Sequence, residues 1–195
     1  MSSKSYKILK RVIDMVVSVS VMVFLFPIML LIGIIIKLES EGPLFFKQTR
    51  IGLNSQPFVI YKFRTMTITA PSNVPTNSLT DPDLYLTRVG RVLRKTSLDE
   101  LPQLINVLKN EMSLIGPRPV IPIEKELIER RRELGVDQIL PGVTGYAQVN
   151  GRDKLNYIEK SDYDLVYLQK MSLGFDLGII FSTVSKIVKS EHINH

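Results

Sequence analysis

The chain has 195 residues and no cysteine, and its only two histidines, His192 and His195, fall in the last four positions. The missing thiols exclude disulfide staples, zinc–thiolate sites, iron–sulfur clusters and thiol nucleophiles, and nothing calls for an oxidising compartment. Histidines confined to a chain end, where structure frays, argue against a Ser-His-Asp triad or a histidine metal cage. Chemistry must therefore rest on carboxylates, amines, guanidiniums and hydroxyls, with a hard metal as the one compatible ion. Lys and Arg number 25 against 19 Asp and Glu, a net charge of +6, which favours anionic partners and surfaces. The length suits one domain with an appendage.

The apolar residues are unevenly spread. From Met15 to Ile36 the chain runs MVVSVSVMVFLFPIMLLIGIII without a formal charge, enough for a helix to cross a hydrocarbon core about 30 Å thick. Lys4, Lys7, Lys10 and Arg11 precede this run like the basic start of a signal peptide, but the run is long and no small-x-small cleavage site follows. Pro27 near its centre lacks a backbone donor and clashes with the preceding turn, so a bend is expected at Phe26–Pro27. A straight crossing with a proline kink is the simpler reading. Basic residues lie on both flanks, however, with Lys37, Lys47 and Arg50 after the run, so charge gives a crossing no orientation. A helix–break–helix hairpin that enters one leaflet and returns fits both flanks. Asp14, at the edge of the hydrocarbon, needs a partner, and Lys10 and Arg11 lie one helical turn before it.

This gives a re-entrant anchor over residues 1–37 and a membrane-associated domain over 38–195, in an α+β, mostly helical fold with surface helices and a short β-hairpin. PLFFKQTRIG and PFVIYKFRTM, joined through GLNSQP, read as the hairpin strands. Residues 69–83 hold three prolines and no apolar run, and read as a loop. Leu101, Leu104, Ile105 and Leu108 form one helical stripe. PIEKELIERRREL reads as a charged helix ended by Gly135. A last helix is expected over about 176–189 with Asp176 as its N-cap; core packing explains it best, and its lysines also suit a membrane surface.

The most telling pair is Asp99-Glu100 in TSLDELPQ. Ser97 and Glu100 match a capping box, but Pro102 fits better if Asp99 is the N-cap and the helix starts there. A carboxylate at a helix start is held ionised, which suits a nucleophile or metal ligand. Arg88, Arg91, Arg94 and Lys95 lie just upstream, and Mg²⁺ would balance a carboxylate against phosphates. In Gly116-Pro117-Arg118-Pro119 two prolines fix the backbone, a rigid mount for a phosphate-binding guanidinium. The segment from Pro141 to Arg152, PGVTGYAQVNGR, reads as a glycine-rich loop able to approach a ligand, without P-loop or Rossmann spacing. Lys62 and Arg64 add two cations.

These motifs, in this order, closely resemble the small monotopic phosphoglycosyl transferases of the bacterial sugar transferase family: KR-x-x-D, the proline-interrupted segment, YKFRTM, SLDELPQLINVLK-x-EMSLIGPRP and PGVTGYAQVNGR. The resemblance implies transfer of a phospho-sugar from a UDP-sugar to a polyprenol phosphate, usually undecaprenyl phosphate, with Mg²⁺, at the cytoplasmic face of the bacterial inner membrane. It implies Asp99 as nucleophile and metal contact, with Glu100 completing a catalytic dyad. Phosphate and substrate binding would fall to Lys62, Arg64, Arg94 and Arg118 between Pro117 and Pro119. Gly145, Gln148, Asn150 and Arg152 would help seat the nucleotide, while Lys10, Arg11, Asp14 and Pro27 would set the hairpin. A Ser-Pro pair at the bend of some relatives is Phe26-Pro27 here. Implied partners are the two substrates and membrane lipids, with downstream glycosyltransferases following in the same glycan assembly; the sugar and the oligomeric state are left open. Two other readings fit parts of the sequence: a lipid-phosphate hydrolase, and a non-catalytic membrane-anchored scaffold. Nucleic acid is not expected, since the basic residues lack aromatic interleaving and form no nucleic-acid motif.

Overall fold

The computed structural model describes residues 3–71, 81–151 and 154–189. Helix α1, Ser3–Glu39, is long and apolar enough to cross a membrane. It continues through Pro27 with no non-helical residue, so the expected helix–break–helix is one helix in secondary structure. A proline removes one rung of the hydrogen-bond ladder and bends the axis without obliging the helix to end. Between the two ends the helix presents large apolar side chains outward, Phe24 being 81% exposed.

Both ends of α1 dock on the rest of the protein. Near the start, Lys10 Nζ reaches Asp176 at 2.7 Å and Tyr6 donates to the same carboxylate at 2.6 Å. Arg11 donates to the carbonyls of Val107 and Leu108, at 2.7 and 3.3 Å. Asp14 accepts from the Ser113 hydroxyl at 2.7 Å and the Leu114 amide at 3.3 Å, whereas Lys10 stands 3.9 Å from it. The expected local pairing of Asp14 is thus secondary, because partners distant in sequence satisfy all three charged residues better. Near the other end Ile32 and Ile36 pack with Phe63 and Leu93 in one core. Arg64 donates to the backbone carbonyls of Ser40 and Glu41.

Strands β1 (Phe45–Ile51) and β2 (Pro57–Phe63) form the expected antiparallel hairpin, in register from Phe45↔Phe63 to Ile51↔Pro57. Helix α2 (Arg88–Thr96) starts with Thr87, whose hydroxyl caps Gly90 N, and ends on Ser97 in the left-handed region at φ 57°. Ser97 makes no side-chain cap bond to the following residues, so the S-x-x-E capping box does not form. A 3₁₀ turn over Leu98–Glu100 comes next, and α3 spans only Gln103–Leu108. The helix expected from Asp99 begins four residues later, with Pro102 ahead of it where no rung is lost.

Strand β3 (Ser113–Ile115) pairs in parallel with β4 (Gly142–Thr144) across helix α4 (Lys125–Glu133). Gly135 sits at φ 70° just past α4, the left-handed C-terminal stop its sequence predicts. The segment expected as a glycine-rich loop contains β4 and the short helix α5 (Tyr146–Asn150). Its glycines admit the chain's own backbone: a Cβ on Gly142 would lie 2.1 Å from Gly116 N, and one on Gly145 2.0 Å from Gly116 O. Helix α6 (Tyr157–Lys170) opens with a capping box from Asn156 and Glu159. Helix α7 spans Leu173–Lys189, so Asp176 lies in its first turn, where its carboxylate binds Tyr6, Lys10 and Tyr167 instead of capping. Ile115, Ile139, Tyr167 and Ile179 form a second core; Ile60, Val107 and Met112 form a third.

Candidate active site

A cavity of about 430 Å³ opens between the hairpin, the 3₁₀ turn, the Pro117–Pro119 segment and α4 to α6. Asp99 lies in its wall, 7% exposed. The turn that carries it is held by Ser97, whose left-handed backbone reverses the chain after α2 and brings Leu98–Glu100 against β2. Lys62 on β2 stands 4.0 Å from Asp99 Oδ2 and 2.7 Å from Glu100 Oε1. Arg118 Nη1 is 3.7 Å from the same Glu100 oxygen.

Burial dominates the electrostatics of Asp99. Desolvation raises its carboxyl from the ordinary 3.8 to about 6, with Lys62 the strongest opposing influence, Glu100 adding to the rise and Arg94 and Arg118 opposing it. The expectation of a carboxylate strongly held ionised by a helix start is corrected: the residue is no N-cap, and the nearby cations only partly offset desolvation. A carboxylate with pKa about 6 is still mostly ionised at neutral pH and is a better base than an exposed one, which suits a nucleophile. Arg94 donates from Nε to Thr65 Oγ1 at 3.0 Å, and burial lowers its proton affinity while Asp99 raises it.

The structure brings Lys62, Arg94, Asp99, Glu100, Arg118, Pro119 and Gln148 to this cavity. Arg64 also lines it, with its guanidinium bonded to Ser40 and Glu41 in the turn after α1. Pro117 lines a separate small pocket with Arg131 and Ile139. Gly145 abuts Gly116, and Asn150 donates to Tyr146 O one turn back at 2.7 Å. Arg152 lies outside the described residues, as does 72–80, most of the loop expected over 69–83.

Several cavity residues carried no sequence signal of their own. Gln48 and Arg50 share a face of β1 with Phe46, which pairs with Lys62. Arg50 donates to Gln48 Oε1 at 2.6 Å; burial and then the like charge of Arg118 lower it to about 10. Alternation along KQTR places Gln48 and Arg50 together, the one local cue available. Glu124, Arg131 and Lys160 close the far side, and their approach depends on tertiary packing alone.

Asp99 and Glu100 are adjacent carboxylates of this cavity, and no group of three or more His, Cys, Asp or Glu that could hold a metal occurs among the described residues. That donor set suits Mg²⁺ bound through one or two carboxylates plus substrate phosphates, not a cage made by the protein alone.

Residues 5–190 match the family model described as bacterial sugar transferase. The chain is 40% identical over 190 residues to an uncharacterized sugar transferase, EpsL, of Bacillus subtilis (strain 168), covering 95% of this chain and 90% of that protein. It is 40% identical over 187 residues to the UDP-glucose:undecaprenyl-phosphate glucose-1-phosphate transferase of Escherichia coli (strain K12), covering 92% of this chain and 40% of that protein. It is 37% identical over 191 residues to the UDP-N-acetylgalactosamine-undecaprenyl-phosphate N-acetylgalactosaminephosphotransferase of Aeromonas hydrophila, covering 95% of this chain and 45% of that protein.

Proposed function

Because the chain belongs to the bacterial sugar transferase family, we propose that it transfers a phospho-sugar from a UDP-sugar to undecaprenyl or a related polyprenol phosphate in two covalent steps. The observation that carries this reading is a buried carboxylate, Asp99, in a cavity wall with Lys62, Arg94 and Arg118. In the first step an Asp99 oxygen forms a bond to the β-phosphorus while the bond from that phosphorus to the UMP oxygen breaks; UMP leaves with the bonding electrons. In the second, a phosphate oxygen of the polyprenol phosphate attacks the same phosphorus, and the Asp99–phosphorus bond breaks to restore the carboxylate. Glu100, held by Lys62, takes up any proton the acceptor carries. Mg²⁺ would be held by Asp99 and the diphosphate, neutralising charge on the phosphate oxygens. Arg94 and Arg118 orient the phosphates, and the cationic wall draws both anionic substrates to one place.

The N-terminal helix supplies the second half of the proposal, a re-entrant anchor that places this cavity at the cytoplasmic face of the inner membrane. Support comes from both ends of α1 bonding to a single domain, through Lys10, Arg11 and Asp14 at one end and Ile36 at the other. Pro27 lies within the exposed apolar stretch between them. In a chain without cysteine, Lys7→Cys and Leu38→Cys should both be labelled by an impermeant maleimide from the same side of the membrane; labelling from opposite sides overturns the anchor.

Incubation with a panel of UDP-sugars and Mg²⁺, without lipid acceptor, should release UMP in an amount close to that of the enzyme and leave an intact-protein mass increased by one phospho-sugar. Asp99→Asn should abolish both. UMP release that strictly requires the polyprenol phosphate, or that persists in Asp99→Asn, overturns the covalent reading.

A further inference from the structure

Pro117, Arg118 and Pro119 present three successive carbonyls, and each is taken by a donor from a different element. Gly142 N in β4 donates to Pro117 O at 2.9 Å. Arg131 Nη1 on α4 donates to Arg118 O at 2.8 Å. Arg50 Nη1 on β1 donates to Pro119 O at 3.3 Å. Two of these three residues are prolines, so the segment offers few amides with which to fix itself, and its carbonyls are the handles left.

The middle donor is itself locked. Arg131 Nε and Nη2 both donate to Asp164 Oδ2 on α6, at 2.9 and 2.6 Å. Asp164 is 1% exposed and Arg131 8%. An ion pair buried this deeply is a poor device for stability alone, since apolar residues of similar volume replace such pairs at little or no cost. What apolar residues cannot reproduce is a guanidinium held rigidly enough to fix the backbone carbonyl of Arg118. The Arg118 side chain itself stands 3.7 Å from Glu100 of the dyad.

We propose that Arg131, locked by Asp164, is a positioning residue: it grips the Arg118 carbonyl and thereby aims the Arg118 guanidinium at the phosphates of the nucleotide substrate. The inference rests on the phosphotransfer reading above. It differs from direct binding by Arg131, which also lines the cavity, in requiring that Arg131 act through Arg118.

The test is a double-mutant cycle on UDP affinity, measured by calorimetry on the full chain in lipid nanodiscs with Mg²⁺. Arg131→Met combined with Asp164→Leu removes the pair without stranding a charge. It should keep the melting temperature of the wild type yet weaken UDP binding by about tenfold or more, the size of coupling expected between groups in contact. In an Arg118→Lys background the same pair of substitutions should change UDP affinity little. If the paired substitution does not fold, Asp164→Asn loosens the lock at constant volume and should show a smaller loss that again disappears with Arg118→Lys. UDP affinity left unchanged by the paired substitution in the otherwise wild-type chain, or losses that simply multiply when it is combined with Arg118→Lys, overturns the clamp. Wild-type protein that neither binds UDP nor releases UMP overturns the functional reading, and the purpose of the clamp with it.

Discussion

Replacing Asp99 by Asn should make the protein more stable as it destroys activity, and the gain should depend on pH in a defined direction. Burial raises the folded-state pKa of Asp99 from the ordinary 3.8 to about 6, so the folded chain binds this proton more tightly than the unfolded chain. Such a group costs nothing below pH 3.8, costs progressively more as pH rises toward 6, and reaches its full cost above that. At about 1.4 kcal/mol per tenfold change in proton affinity, the interval amounts to about 3 kcal/mol of stability lost at neutral pH. Asparagine has nearly the same shape and no charge to desolvate. The attraction of Lys62, Arg94 and Arg118 is already contained in that interval, so a gain of up to about 3 kcal/mol is expected at pH 8, on the order of 12 °C at most in melting temperature for a chain of this size. The assay is thermal unfolding of wild type and Asp99→Asn in nanodiscs from pH 4 to 8. The difference should be near zero at pH 4, grow through pH 6 and level off above 7. An Asp99→Asn protein that melts at or below the wild type at pH 8, or that shows the same gain at every pH, refutes the account of a desolvated nucleophile.

Lys62→Met removes the strongest influence opposing the rise of the Asp99 pKa, so the acidic limb of the UMP-release profile should move to higher pH, with activity lost more at pH 6 than at pH 8. Gly90→Ala puts a Cβ 2.0 Å from Thr65 O; α2 must lift away from the end of β2, at a cost of about 1–3 kcal/mol, and displacement of Arg94 should show as weaker UDP binding by calorimetry. Tyr167→Phe removes a buried hydroxyl 2.9 Å from Asp176 Oδ1, which should lower stability to chemical denaturation by roughly 1–3 kcal/mol while UMP release per folded molecule is unchanged.

The hairpin was readable because its two strands carry alternating patterns around a turn, and the Leu101–Leu108 stripe because its period is local. Gly135 announced the end of α4 by the same kind of local rule. The start of α3 is not legible because Ser97 adopts a left-handed conformation that glycine or asparagine would ordinarily signal, and a 3₁₀ turn occupies the expected first helical residues. The pairing of β3 with β4 has no local signature: three-residue strands separated by a helix are recognisable only once packed. The site shows the same division. Asp99, Glu100 and Arg118 stand in motifs whose residue types declare charge or rigidity, whereas Arg50 and Arg131 look like ordinary surface cations until the fold turns them toward proline-flanked carbonyls. Asp14 shows that proximity in sequence tells only part, since Lys10, one turn away, keeps an ion pair with it at 3.9 Å but lies closer to Asp176, at 2.7 Å.

The bonds from Tyr6 and Lys10 to Asp176 join residues 170 and 166 positions apart. A ribosome making 5–20 residues per second needs roughly ten to thirty seconds to travel that distance. For most of that interval the greasy first helix is already made while the carboxylate that will moor it does not yet exist. The first helix must therefore be sheltered by something other than α7 until α7 has been made, and the body of the protein is fastened to it there only then.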